Sequence, residues 1–285
     1  MSSIRRSMLF IPGNNPGMLQ SADVFDADSV ILDLEDSVSL EEKDAARMLV
    51  KEVLQNLSLD CEVIVRINPY DSPYFEDDVK VLKELNINMF LLPKASVESV
   101  IKLAKMLENT NIKIMVLIET AMGVETVFDI LSASDNCLGL MLGGEDLCVD
   151  LNCKRTKVGT EILYARSRLV NCAKSLHKFV IDTPFTDTND EKGLKDDALF
   201  AKGLGFDGKA AINPRQIITI NDVFSPSSEE IRQAQRIIEA KDLALKQGRG
   251  VFALDGKMVD LPIIKRAEKV LDIAQKIGLV KERKS

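Results

Sequence analysis

The 285-residue chain has no tryptophan, three tyrosines and a single histidine, His177. One histidine excludes zinc sites built on several imidazoles and leaves no ready centre for a Ser-His-Asp triad. Acid–base chemistry must therefore fall to carboxylates, Lys, Tyr or water. Aromatics make up only 5% of residues, and 37 Lys+Arg face 44 Asp+Glu for a net charge of −7. A chain of that sign without a basic stripe is poorly suited to nucleic acid or to anionic membranes. No apolar run approaches the ~20 residues of a membrane span, and Met1-Ser2-Ser3-Ile4-Arg5-Arg6 has no signal-peptide core. The five cysteines are odd in number and contain no Cys-x-x-Cys pair. Together these features lead us to expect free thiols in a cytoplasmic protein.

What is present is a repeated alternation. Short apolar runs fall at Ser7–Ile11, Ser29–Leu34, Glu62–Ile67, Met89–Leu92, Ile112–Ile118, Leu138–Leu142, Phe179–Ile181 and Gly208–Ile212. Most are continuous rather than alternating, as expected of strands buried on both faces. Between them lie helical spacings. One helix is predicted from Ser39 to about Leu57, with Ser39 as N-cap and Glu42 completing a capping box. Others are predicted over 96–107 and 159–176. Eight strand–helix units predict a (β/α)₈ barrel over residues 1–224, and the length favours closure over an open doubly wound sheet. Residues 225–285 read as a C-terminal helical extension, a lid or subunit contact. It holds a helix that starts at Ser225-Pro226-Ser227-Ser228-Glu229 and runs to about Gln247, stopped by Gly248-Arg249-Gly250, a short extended piece at Val251–Asp255, and a last helix over Leu261–Ile277.

A barrel of this kind places its chemistry at the C-terminal ends of its strands. Those ends carry Pro12-Gly13, Asp33-Leu34-Glu35-Asp36, Arg66-Ile67-Asn68, Pro93-Lys94, Glu119-Thr120, Gly143-Gly144-Glu145-Asp146, Asp182-Thr183 and Asn213-Pro214. Glu119 and Asp146 each follow an apolar run. Two such carboxylates suit Mg²⁺, which takes one or two protein carboxylates and leaves other positions to water and substrate; the competing reading is that either acid caps its following helix. Arg66 ends an otherwise apolar strand, so it either meets a substrate anion or forms an internal salt bridge to Asp33 or Glu35. Lys94 is open between an ion pair and a ligand contact. Gly143-Gly144 permits close backbone approach, and the N–H groups after it can hold a carboxylate. His177 falls on the opposite rim. Cys148 and Cys153, with no histidine beside them, read as packing residues rather than nucleophiles.

The ordered set Arg5-Arg6-Ser7-Met8-Leu9-Phe10-Ile11-Pro12-Gly13, Asp33-Leu34-Glu35-Asp36, Arg66-Ile67-Asn68-Pro69, Ile118-Glu119-Thr120-Ala121, Gly143-Gly144-Glu145-Asp146-Leu147 and Ile212-Asn213-Pro214-Arg215 resembles the citrate lyase β-subunit family, within the wider HpcH/HpaI aldolase group. The likeness extends into the tail, over Asp255-Gly256-Lys257-Met258-Val259-Asp260-Leu261-Pro262. It implies a Mg²⁺-dependent lyase that breaks a carbon–carbon bond in a 3-hydroxy-acyl thioester. It also implies Glu119 and Asp146 as metal ligands, with Gly144, Glu145 and Asp146 at the substrate and Arg66 as substrate-binding and catalytic arginine. Asp260, otherwise a helix N-cap, matches a family aspartate that serves a neighbouring subunit's site as acid–base residue. Gly144 stands where many relatives have Ala. Family members are commonly trimers or hexamers. The opening block, the Glu42–Arg47 segment and the closing Gly256-Lys257-Met258 resemble most the members that act on citryl thioester carried by an acyl carrier protein (γ), beside an α subunit. Relatives acting alone on citramalyl-CoA or malyl-CoA are the rival expectation, and a barrel kept as a scaffold or binding subunit is the rival of another class.

Overall fold

The computed structural model describes residues 4–246, 252–254 and 257–281. The chain divides into two compact units, one spanning Arg5–Phe224 and the other built on the segment after it. In the first, eight strands close a parallel barrel in sequence order: β1 (Ser7–Pro12), β2 (Ser29–Asp33), β3 (Glu62–Arg66), β4 (Met89–Leu92), β5 (Lys113–Ile118), β6 (Cys137–Leu142), β7 (Phe179–Asp182) and β8 (Gly208–Ala211), with β8 returning to β1. The barrel expectation holds, and each strand lies where its apolar run was read.

The strands are wrapped by α1 (Pro16–Gln20), α2 (Lys43–Asn56), α3 (Phe75–Leu82), α4 (Val97–Met106), α5 (Ala121–Glu125), α6 (Val127–Ser132), α7 (Gly144–Asp150), α8 (Leu163–Ser175), α9 (Glu191–Leu204) and α10 (Ile217–Phe224). The start of α2 differs from expectation. A 3₁₀ turn at Leu40–Glu42 precedes it, and the Ser39 side chain makes no cap bond. Its hydroxyl instead donates to the Glu42 carboxylate at 3.1 Å, so the two side chains satisfy each other rather than the helix end. α4 begins as predicted, with Ser96 accepting from the Ser99 N–H in a capping box.

Side chains alternate along every strand, and this sorts the core into two layers. Outward residues such as Leu9, Val30, Leu32, Val65 and Val116 join the helices in the larger cluster. Inward residues fill the barrel: Met8, Ile31, Ile64, Met89, Leu91, Met115, Leu117, Met141, Ile181 and Ala210. Four of these are methionines, unbranched chains that fill irregular space. The barrel floor is closed by Arg5, which stacks on the Phe179 ring at 4.2 Å and grips Glu62 with two bonds of 2.7 and 2.6 Å.

Between barrel and helices lies a buried ion cluster. Arg166 (α8) binds both oxygens of Asp182 (β7) at 2.9 and 2.8 Å and reaches Asp197 (α9) at 2.7 Å. Lys209 (β8) contacts the same two aspartates at 2.7 and 2.6 Å and donates to the Thr183 carbonyl at 2.7 Å. Two cations and two anions balance, the condition under which buried charge is tolerated.

In the second unit α11 (Ser228–Lys246) packs on α12 (Leu261–Lys276), joined by the antiparallel pair β9 (Phe252–Leu254) and β10 (Lys257–Val259). Ser227 and Glu230 form the capping box of α11. The expected Gly248–Gly250 stop lies outside the described residues. Among those residues no helix is long and apolar enough to cross a membrane.

Arg166→Leu strands two buried carboxylates with one cation. We expect a loss on the order of 3–5 kcal/mol, read by urea unfolding followed by circular dichroism, since the chain has no tryptophan to report. A loss under about 1 kcal/mol would show that the cluster is not a stabilising unit.

Candidate active site

The inward register that fills the barrel also builds its mouth. On six strands a residue of the cavity stands two residues beyond an inward core residue: Ile31 is followed by Asp33, Ile64 by Arg66, Leu117 by Glu119, Met141 by Gly143, Ile181 by Thr183 and Ala210 by Ile212. Together with Phe10, Asp36, Gly144, Glu145 and Asp146 they line a cavity of about 390 Å³. Arg66, Glu119, Gly144, Glu145 and Asp146, each expected at the site, are thus brought together.

Arg66 answers to both readings of the sequence. Its Nε and one terminal nitrogen clamp Asp33 at 2.6 and 2.7 Å, and the other terminal nitrogen meets Glu35 at 2.9 Å and Asp36 at 3.1 Å. It also lies 4.9 Å from the Phe10 ring and still faces the cavity. A guanidinium has five N–H donors; three are spent on hydrogen bonds to Asp33 and Asp36, so donors remain for a ligand. The three carboxylates hold Arg66 charged against the cost of burial. Burial works to raise Asp33, but Arg66 overrides it and keeps that carboxyl below its usual range. Glu35 is left over: burial first, then Asp36 and Asp33, push it to about 7.

Glu119 is 2% exposed. One oxygen accepts the Lys94 backbone N–H at 2.8 Å, and burial, with Glu35 and Asp146 nearby, lifts its pKa to about 8. Lys94 contributes through its backbone, bent into the left-handed region at φ 46°, while its ammonium is in no ion pair among the described residues. The ion pair weighed for its side chain is therefore not formed. Glu119 does not cap α5, where Thr120 accepts from the Gly123 N–H, and Asp146 makes no side-chain cap on α7. Asp146 stands in the first turn of α7, exposed, with Glu145 beside it.

Gly143 and Gly144 are distinguished by close contact rather than by backbone angle. A Cβ on Gly143 would lie 2.6 Å from the Glu119 Cβ, and one on Gly144 would lie 2.9 Å from the Thr183 hydroxyl. The Gly144 N–H donates to that hydroxyl at 2.9 Å, so it is spent within the protein and not free for a carboxylate. Phe10 and Thr183 went unassigned in the sequence; their signal was the inward register of β1 and β7. Asp182 turns outward to the ion cluster. Asp260, in the second unit, caps α12 by accepting the Ile263 N–H at 3.3 Å. His177 is exposed at the end of α8, with φ 56°.

Among the lining residues five carboxylates face one guanidinium. That imbalance, with oxygen donors only, fits a hard divalent cation. Among the described residues no cluster of three or more His, Cys, Asp or Glu forms a closed metal cage. Glu119 and Asp146 both line this cavity, and an open Mg²⁺ site uses one or two carboxylates.

Residues 6–214 match the HpcH/HpaI aldolase/citrate lyase family. The chain belongs to that family. It is 39% identical to the citrate lyase subunit beta of Leuconostoc mesenteroides subsp. cremoris, over 97% of this chain and 95% of that one. It is 30% identical to the human mitochondrial citramalyl-CoA lyase, over 96% and 86%. Among solved structures, CitE from Mycobacterium tuberculosis in complex with magnesium, acetoacetate and coenzyme A superimposes with a TM-score of 0.80 at 31% identity, covering 95% of this chain and 98% of that one.

The raised Glu119 pKa has a thermodynamic signature. Above pH 4.5 the unfolded carboxyl loses a proton that the native, metal-free protein keeps to about pH 8. Native stability should therefore fall as pH rises through that window, by up to ~1.4 kcal/mol per pH unit from this group. Glu119→Gln should remove this part of the slope and raise stability at the alkaline end, measured by urea unfolding at both ends. An unchanged slope would contradict the assignment.

Proposed function

We propose that this chain is a Mg²⁺-dependent lyase that cleaves citryl thioester to oxaloacetate and acetyl thioester. The observation that carries the reading is that the Arg66 guanidinium lines the same cavity as Glu119 and Asp146, at a mouth otherwise rich in carboxylates. A citryl thioester is itself anionic, so it needs a cation to enter such a site.

Glu119 and Asp146 would hold the metal. When bound, Mg²⁺ acts as a Lewis acid on substrate oxygens and lowers the hydroxyl pKa. Glu119 must give up its proton to serve as ligand, and Lys94 N–H steadies the charge that remains. The substrate hydroxyl loses its proton to a carboxylate, for which we assign Asp260 of a second copy of the chain. As the oxygen becomes a carbonyl, the adjacent C–C bond breaks and its electron pair passes to the thioester as an enolate. An Arg66 N–H stabilises that oxygen, and protonation at carbon releases the acetyl thioester. Phe10 below Arg66 and Ile212 across the mouth supply apolar walls that exclude water.

The carrier of the thioester is assigned from the resemblance and from the 39% identity to a citrate lyase β subunit: an acyl carrier protein, working beside an α subunit, with the chain as a trimer or hexamer in the cytoplasm. The identity to citramalyl-CoA lyase supports a second reading, a CoA-thioester lyase that works alone.

Assay of the purified chain on citryl-CoA and citramalyl-CoA, with and without Mg²⁺, separates the readings. Citryl cleavage that stops with EDTA is expected; a preference for citramalyl-CoA would select the second reading, and metal-independent turnover would refute both. Arg66→Ala should lose ~10²–10³ in kcat, while Glu119→Gln and Asp146→Asn should weaken Mg²⁺ binding in calorimetry. For Asp260, mixed oligomers of Asp260→Ala and Glu119→Ala chains should regain activity that neither has alone. No regain would place the acid–base group elsewhere.

A further inference from the structure

The helix that carries Glu145 and Asp146 ends in a left-handed cap formed by Asn152 at φ 53°. The Asn152 N–H donates to the Val149 carbonyl at 3.0 Å, and the Cys153 N–H to the Cys148 carbonyl at 2.9 Å. This is the Schellman arrangement, whose paired bonds bring the side chains at its third-last helical and second following positions against each other, usually as an apolar contact. Here those two positions are both cysteine, Cys148 and Cys153, and the bond from the Cys153 N–H to the Cys148 carbonyl sets the two residues beside each other. Cys148 is 3% exposed, in the outer core, whereas Cys153 is exposed. The expectation that both are packing residues holds for Cys148 alone.

The loop after the cap is pinned. Glu161 accepts from the Arg155 guanidinium at 2.7 Å, from the Thr156 N–H at 2.8 Å and from the Thr156 hydroxyl at 2.8 Å. Cys153 therefore stands in a fixed place, open to solvent, over a shielded partner.

We propose that Cys148 and Cys153 form an oxidative modification site, a dithiol that hydroperoxides close to an intrachain disulfide. The Cys153 thiolate attacks a peroxide oxygen, the O–O bond breaks, and an alcohol or water leaves, giving a sulfenic acid. The Cys148 sulfur then attacks that sulfur; the S–S bond forms, the S–O bond breaks, and the hydroxyl departs as water with the Cys148 proton. Two thiols and one hydroperoxide yield one disulfide, one alcohol (water when the oxidant is hydrogen peroxide) and one water. The helix bearing Asp146 thereby gains an oxidation-sensitive end, a property independent of the lyase reading.

The test treats the reduced full-length protein with hydrogen peroxide, then unfolds, alkylates and digests it with trypsin for mass spectrometry. The fragment ending at Lys154 holds Cys137, Cys148 and Cys153. It should lose two hydrogens and carry one alkyl label instead of three, and dithiothreitol should restore the other two. Cys153 gaining two or three oxygens while Cys148 stays alkylated would overturn the proposal. Asn152→Val, which disfavours the left-handed cap, should slow closure about tenfold, and Asn152→Gly should not. Equal rates in the valine variant would likewise overturn it.

Discussion

A guanidinium placed at the end of a buried strand must gather anions, and most of the barrel's mouth follows from that demand. Arg66 draws Asp33, Glu35 and Asp36 to itself. Asp33 in turn accepts the backbone N–H groups of Glu35 and Ser37, so the ion pair also folds the loop after β2. Three acids around one base leave a deficit of positive charge, and Glu119 across the cavity deepens it. Burial first, and the neighbouring carboxylates after it, raise the pKa values of Glu35 and Glu119.

The second organising element lies outside the barrel wall. Arg166, Asp182, Asp197 and Lys209 tie α8, α9, β7 and β8 together, and Lys209 also grips the Thr183 carbonyl. Thr183 passes that constraint inward through its hydroxyl to the first N–H of α7. The helix that presents Asp146 is thus registered against a cluster that never touches the cavity.

Much of this was legible in the sequence because a polar residue closing an apolar run must face something polar. Arg66 and Glu119 stood out on that ground, and the strand positions gave the barrel. Other features depend on facts that only tertiary structure supplies. Asp182 and Thr183 are adjacent and both polar, and only strand register sends one outward and the other in. Lys94 acts through an N–H, to which side-chain chemistry gives no clue. Ser39 and Glu42 have the spacing of a capping box but sit on a 3₁₀ turn, where the geometry the motif needs is absent. Asp146 follows its strand by way of two glycines, so the helix, not the strand, aims it.

The methionine-filled interior has a mechanical consequence. Thioether chains yield under load, so Met8, Met89, Met115 and Met141 form a soft cushion beneath a hard polar ring. The ring is suspended from its rim by ion pairs and hydrogen bonds rather than propped from below. Its stiffness is lateral and electrostatic. Repacking of the flexible chains underneath should therefore disturb the mouth less than a change of charge at its rim.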